Sequence, residues 1–117
     1  MPDTNVTIYH NPRCSKSRNT LALLQQNGIE PTVVEYLKQP PDRAALESIV
    51  KKLGVPPEQI VRKGEDAYKQ NYAGQTLSSE QWLDALAAHP VLIERPIVVK
   101  GNRAVIGRPP ENVLDLI

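Results

Sequence analysis

The chain has 117 residues, of which 40% are hydrophobic and 23% are charged, and this composition predicts a folded domain rather than a disordered chain. Its formal net charge is +1, which gives no overall attraction to nucleic acid or to a membrane surface. A single cysteine excludes an intramolecular disulfide and leaves too few ligands for a zinc site built from cysteine and histidine.

Two further exclusions concern membranes and export. No apolar run approaches the roughly 20 residues that a membrane span requires. The N-terminal stretch MPDTNVTIYH lacks the charged and apolar regions of a signal peptide. We therefore expect a cytoplasmic protein with no membrane or nucleic-acid partner.

The N-terminal part of the chain predicts a strand, a helix and a second strand. VTIYH (6–10) is rich in β-favouring residues. SKSRNTLALLQQNG (15–28) has an apolar side made of leucines, with Gly28 placed to end the helix. TVVEYL (32–37) is the second strand. This order predicts a right-handed parallel βαβ unit.

The middle of the chain, at about 41–89, predicts helices and no strand. Asp42 is expected to cap a helix whose apolar residues recur at helical spacing and which ends at Gly54. Ser78 and Gln81 form an S-x-x-Q capping box at the start of another helix.

The C-terminal part returns to sheet. PIVVK (96–100) and RAVIG (103–107) flank Gly101-Asn102, a two-residue hairpin signal, and PPENVLDLI (109–117) predicts a final helix. A βαβ unit, a helical insertion and a ββα unit make the thioredoxin-like α/β pattern. We therefore predict a single domain over 1–117, built around a four-stranded mixed sheet.

Cys14 is the first candidate for chemistry, because it falls in the loop between the first strand and the first helix. Ligands tend to bind at the carboxyl ends of strands in α/β sheets, and a helix N-terminus favours negative charge. Such positions lower a thiol pKa from about 8.5 to between roughly 3.5 and 7.5. A reactive thiolate is therefore predicted, and a small buried hydrophobe is the alternative.

Polar neighbours of Cys14 leave two roles open. His10 could contact the thiolate or hold the loop, and Asn11 and Ser17 could hydrogen-bond either the loop or the sulfur.

Three arginines are candidates for binding an oxyanion, since the guanidinium group forms forked hydrogen bonds to such groups. Arg95 and Arg108 flank the predicted hairpin and so fall at the same end of the sheet, whereas Arg62 lies in the helical part. An ordinary solvated surface is the alternative for each. Arg95-Pro96 is also a candidate for a cis peptide bond.

Together, the segments IYHNPRCSKSRNTL, GIEPTVVEYL, ERPIVV and IGRPPE resemble the arsenate reductase family of the glutaredoxin-coupled type, especially its short, arsenate-reductase-like members. The similarity covers nearly the whole chain, and the pattern H-N-P-x-C-x-x-S-R-N-T-L is long and specific. This sequence departs from the best-studied branch by carrying Arg13, rather than a small residue, directly before the cysteine, and by a shorter C-terminal tail.

The resemblance implies a thioredoxin-like fold with a helical insertion and an arsenate reductase activity in arsenic detoxification. It implies arsenate or a similar oxyanion as substrate, glutathione as co-substrate, glutaredoxin as partner, and no bound cofactor or metal; we expect a monomer. The resemblance marks Cys14 as the nucleophile and Arg62, Arg95 and Arg108 as the residues that bind the oxyanion. It marks His10 and Pro96 as supporting residues. Asn11 and Ser17, noted above as neighbours of Cys14, are further supporting candidates.

A single cysteine cannot complete a two-electron reduction, so the sequence itself requires an external thiol. Two alternatives stay open. One is a thiol–disulfide oxidoreductase acting on glutathione mixed disulfides, which would not need Arg62 or Arg108. The other is a redox-responsive regulator of RNA polymerase with the same fold, against which Ser17 counts because it replaces the second cysteine of a C-x-x-C pair.

Overall fold

The computed structural model describes residues 6–117. The absence of a signal peptide is expected from residues 1–10, of which residues 1–5 lie outside the described part. The described residues form two compact units. One comprises residues 6–39 and 95–117, and the other comprises residues 40–94. That the whole chain acts as one domain stays a prediction.

The first unit contains a four-stranded mixed sheet in the order β2-β1-β3-β4. Its helix α1 (Ser15–Gln26) joins two parallel strands, and the other two strands continue the sheet in antiparallel fashion. This is the predicted thioredoxin-like α/β fold, with β2 ending two residues earlier than the sequence suggested. The strands are β1 (Val6–His10), β2 (Thr32–Glu35), β3 (Ile97–Lys100) and β4 (Arg103–Ile106).

The core of this unit lies where α1 and the C-terminal segment cover the sheet. Alternate residues of β1 are buried, as expected for a strand with one face toward a core. The predicted final helix forms as a 3₁₀ helix, Pro110–Asp115, whose start contains prolines that lack N–H donors. The buried core residues are Val6, Ile8, Leu24, Val98, Val113 and Leu116.

The second unit is mainly helical, as predicted. Helix α2 (Arg43–Leu53) begins at Asp42, whose carboxylate accepts a hydrogen bond from the Ala45 N–H at 2.8 Å. It ends at Gly54, whose φ of 71° is one that glycine adopts without strain.

Two more α-helices follow in this unit. The sequence analysis missed α3 (Asp66–Asn71), whereas α4 (Ser79–Ala88) begins at the predicted Ser78–Gln81 capping box. A 3₁₀ turn at Pro57–Ile60 precedes α3, and one isolated bridge pairs Val61 with Ile93. None of the helices within residues 6–117 is long and apolar enough to cross a membrane.

Candidate active site around Cys14

Sheet register brings three loops of the first unit to the same edge. Tyr9 of β1 lies opposite Ile97 of β3, and Ile97 lies opposite Ile106 of β4. The segment after β1 carries Cys14, the segment before β3 carries Arg95 and Pro96, and the segment after β4 carries Gly107 and Arg108. The predicted cis peptide bond between Arg95 and Pro96 is confirmed, and Arg108-Pro109 is also cis.

Cys14 occupies the N-cap position of α1 and is half-buried. Burial is the largest single influence on its thiol and raises the pKa, but the backbone N–H of Ser17, the side chain of Arg95 and the backbone N–H of Lys16 oppose it. Together these donors lower the pKa of Cys14 below its ordinary value. The Cys14 side chain does not form an N-cap hydrogen bond. The N–H groups at the start of α1 therefore act on the sulfur mainly as partial positive charges.

Arg95 supplies a full positive charge beside this sulfur. Its half-buried side chain interacts electrostatically with both Cys14 and Tyr36, a fully buried residue. Burial lowers the pKa of Arg95, but these two partners outweigh burial and raise it. The guanidinium therefore stays charged and is held against the sulfur. Sequence reasoning missed Tyr36, because nothing in its local pattern shows that it faces an arginine distant in the chain.

The polar residues near Cys14 hold the shape of its loop. The Ser17 hydroxyl lies 2.6 Å from Nδ1 of His10 and accepts a hydrogen bond from the Asn11 N–H at 3.0 Å. The Asn11 side chain accepts from the Arg13 N–H at 3.0 Å. Of the two roles that the sequence left open for His10, Asn11 and Ser17, these contacts support the loop-holding one.

The protonation state of His10 fits this network. Burial is the main influence and lowers the pKa of His10, the Arg18 charge lowers it further, and the Glu35 charge raises it. A neutral ring with its proton on Nε2 leaves Nδ1 to accept a hydrogen bond from the Ser17 hydroxyl.

Thr20 joins α1 to the segment that carries Arg108. Its hydroxyl bonds the carbonyl oxygen of Gly107 at 2.9 Å and that of Lys16 at 2.9 Å. A Cβ atom at Gly107 would lie 2.7 Å from Cγ2 of Thr20 and 3.0 Å from Cγ of Pro96. Neither Thr20 nor Gly107 was predicted as a site residue, although a glycine at a strand end is a known sign of close backbone approach.

The two remaining arginines lie in different units. Arg108 is exposed at the edge described above. Arg62 belongs to the second unit, where it donates to Glu94 at 2.8 Å and lies 3.9 Å from Glu65. Oxyanion binding by either residue stays a prediction. Within residues 6–117, no group of three or more histidine, cysteine, aspartate or glutamate residues could hold a metal ion.

The fold and this site define a thioredoxin-like protein with a half-buried cysteine of lowered pKa at the start of its first helix. More specifically, the model of the ArsC family matches residues 9–116, and the chain belongs to that family. The family predicted from the sequence motifs is thereby confirmed.

Individual relatives are similar over nearly their whole length. The chain is 52% identical over 114 residues to the uncharacterized protein YfgD of Escherichia coli strain K12, with 96% of each protein covered. It is 47% identical over 115 residues to the arsenate reductase of Haemophilus influenzae, with 97% of this chain and 99% of that protein covered. The solved structure of an arsenate reductase from Vibrio cholerae matches with a TM-score of 0.92 at 46% identity and covers 96% of this chain and 97% of its own.

Proposed function

We propose that this protein reduces arsenate to arsenite through the thiolate of Cys14. The observation that carries the proposal is the placing of Cys14 beside Arg95 at a helix N-terminus, where the pKa of the thiol is lowered. This arrangement provides a nucleophile and a positive charge for an incoming oxyanion at one point. Two relatives named arsenate reductase, which are 49% and 47% identical to this chain, support arsenate as the oxyanion.

The first step joins sulfur to arsenic. Arsenate is held by Arg95 and Arg108, and by Arg62 according to the family resemblance, while the Cys14 thiolate attacks arsenic(V). A sulfur–arsenic bond forms, an arsenic–oxygen bond breaks, and the oxygen leaves as hydroxide or, once protonated, as water. No electrons have yet been transferred, because arsenic remains arsenic(V) in this adduct.

The second step needs a thiol from outside the chain. A thiolate attacks the Cys14 sulfur, the sulfur–arsenic bond breaks, and its electron pair goes to arsenic, which leaves as arsenic(III). Cys14 is then in a mixed disulfide, which a further thiol reduces by exchange. We assign these thiols to glutathione and glutaredoxin in a cytoplasmic setting, where thiols are kept reduced. The protein needs no bound cofactor or metal for this sequence of steps.

The direct test is arsenate-dependent NADPH oxidation in the presence of glutathione, glutaredoxin and glutathione reductase. Wild-type protein should turn over, and the Cys14→Ser variant should not, since an alcohol cannot be the nucleophile or form the mixed disulfide. Absence of turnover by wild-type protein would contradict the proposal.

Arginine variants distinguish an arsenate reductase from a general disulfide reductase. Arg108→Ala should lower arsenate turnover at least about tenfold while alkylation of Cys14 by iodoacetamide proceeds. The same comparison with Arg62→Ala tests the role taken from the resemblance. If arsenate turnover is unchanged in the Arg108 variant, the oxyanion site is wrongly assigned.

A further inference from the structure

A cavity of about 240 Å³ lies in the first unit beside the loop that carries Cys14. Arg13, which directly precedes Cys14, forms part of its wall. Asn11 forms another part, and its carbonyl oxygen accepts a hydrogen bond from the Cys14 N–H at 3.0 Å. The other lining residues are His10, Pro12, Glu35, Leu37 and Lys38.

The lining combines charges of both signs with an apolar surface. Arg13 and Lys38 are cations, Glu35 is an anion, and Leu37 is 46% exposed although it is apolar. Lys38 and Glu35 lie 3.6 Å apart, and the Lys38 side chain is 78% exposed. An exposed ion pair of this kind contributes little to stability, so both groups can exchange their mutual contact for a ligand.

We propose that this cavity binds the external thiol as a small peptide that carries carboxylates, an ammonium group and a thiol. This inference rests on the proposed function, which requires an external thiol next to Cys14. The two cations match the carboxylates, Glu35 matches the ammonium group, and Leu37 packs against the peptide stem. An uncharged thiol would gain none of the ionic contacts.

The cavity acts in the thiol-exchange step. The bound thiolate attacks the Cys14 sulfur, a sulfur–sulfur bond forms, and the bond from Cys14 to its previous partner breaks with its electron pair on that partner. With a disulfide as reactant the roles reverse: the Cys14 thiolate attacks one sulfur of the disulfide, and a thiolate leaves. This reverse exchange needs no arsenate, so it tests the cavity separately from the reductase activity.

The experiment compares two disulfides as reagents for Cys14. Glutathione disulfide carries the charged groups that the cavity recognises, whereas 2-hydroxyethyl disulfide is neutral. The rate of mixed-disulfide formation is followed by intact mass, and iodoacetamide alkylation normalises each variant for thiolate reactivity. The test variant combines Arg13→Glu with Lys38→Glu. The control combines Lys100→Glu with Arg103→Glu, a matched charge change on paired residues at the opposite end of the hairpin from the Cys14 edge.

Wild-type protein should react faster with glutathione disulfide than with the neutral reagent, and added salt should reduce the preference. In the test variant, the ratio of the rate with glutathione disulfide to the rate with the neutral reagent should fall about tenfold. In the control variant, this ratio should match that of wild type. An equal preference in test variant and wild type, or no preference in wild type, would overturn the proposal. If the double variant fails to fold, Lys38→Glu alone carries the test, because that side chain is mostly in solvent. If arsenate turnover fails while the preference for glutathione disulfide is observed, the proposed function is contradicted but the assignment of the cavity is not.

Discussion

Cys14 is under two opposing influences, and its reactivity depends on which is larger. Burial disfavours the thiolate, whereas Arg95 and the N–H groups at the start of α1 favour it. The net effect lowers the pKa of Cys14. A lowered pKa means that the thiolate persists at pH values where a free thiol, with a pKa of about 8.5, is largely protonated.

The first prediction at the residue scale follows from this balance. The rate of Cys14 alkylation should rise with pH around a midpoint below that of a free thiol. Replacing Arg95 by Gln should move the midpoint upward, since it removes a charge and a donor from the sulfur while burial still opposes ionisation. Alkylation at neutral pH should then fall several-fold. The measurement is the pH dependence of the iodoacetamide rate.

Arg103→Gln is the control for the Arg95 variant, because it removes the same charge from an exposed position at the far end of the hairpin. Its midpoint should match that of wild type. Equal midpoints in the Arg95 variant and wild type would mean that Arg95 does not activate the thiol.

At the scale of elements, α1 and the segment after β4 approach closely because Gly107 has no side chain. We expect Gly107→Ala to lower the free energy of unfolding by about 1 to 3 kcal/mol, the usual cost of overpacking. The new methyl group would meet Thr20 at 2.7 Å and Pro96 at 3.0 Å. Thr20 belongs to α1, which begins directly after Cys14, and Pro96 lies directly before β3. Urea unfolding measures the change.

Two further variants make this prediction specific. Gly64→Ala is the matched control, since a Cβ atom there would meet nothing within 4 Å, and it should not destabilise the protein. In a Thr20→Ser background, which removes the nearest methyl group but keeps the hydroxyl, Gly107→Ala should cost less. Equal costs in both backgrounds would place the strain elsewhere.

An element could be predicted from the sequence when the residues that interact in it lie close together along the chain. The caps at Asp42 and Ser78 were predictable because their partners are three residues away. Helix α3 was missed because it buries no residue and so has no apolar periodicity. The bond between Thr20 and Gly107 spans 87 positions, and no local pattern encodes such a contact.

The candidate site divides in the same way. Residue type and position were enough to single out Cys14 and Arg95, since a cysteine before a helix and an arginine before a strand-opening proline are local features. Tyr36 and the cavity at Lys38 depend on side chains that the fold brings together from separate segments. These were therefore visible only in the structure.

At the scale of the whole molecule, the decisive property is that the chain holds one cysteine. Reduction of arsenic(V) to arsenic(III) takes two electrons, and the oxidation of two thiols to one disulfide supplies them. A single chain contributes one of these thiols. Under the proposed function, the chain would therefore form the sulfur–arsenic adduct alone and need a second thiol to release arsenite from it.

The last prediction is a single-turnover experiment. Reduced protein mixed with arsenate alone should yield no arsenite. Adding one equivalent of glutathione per Cys14 should then release up to one arsenite per Cys14 and leave a glutathionyl group on the protein, the first seen by arsenic speciation and the second by intact mass. Cys14→Ser should yield neither product. Arsenite formed without added thiol would mean that a second copy of the chain supplies the other sulfur, and a Cys14–Cys14 linked dimer on a non-reducing gel would identify that route.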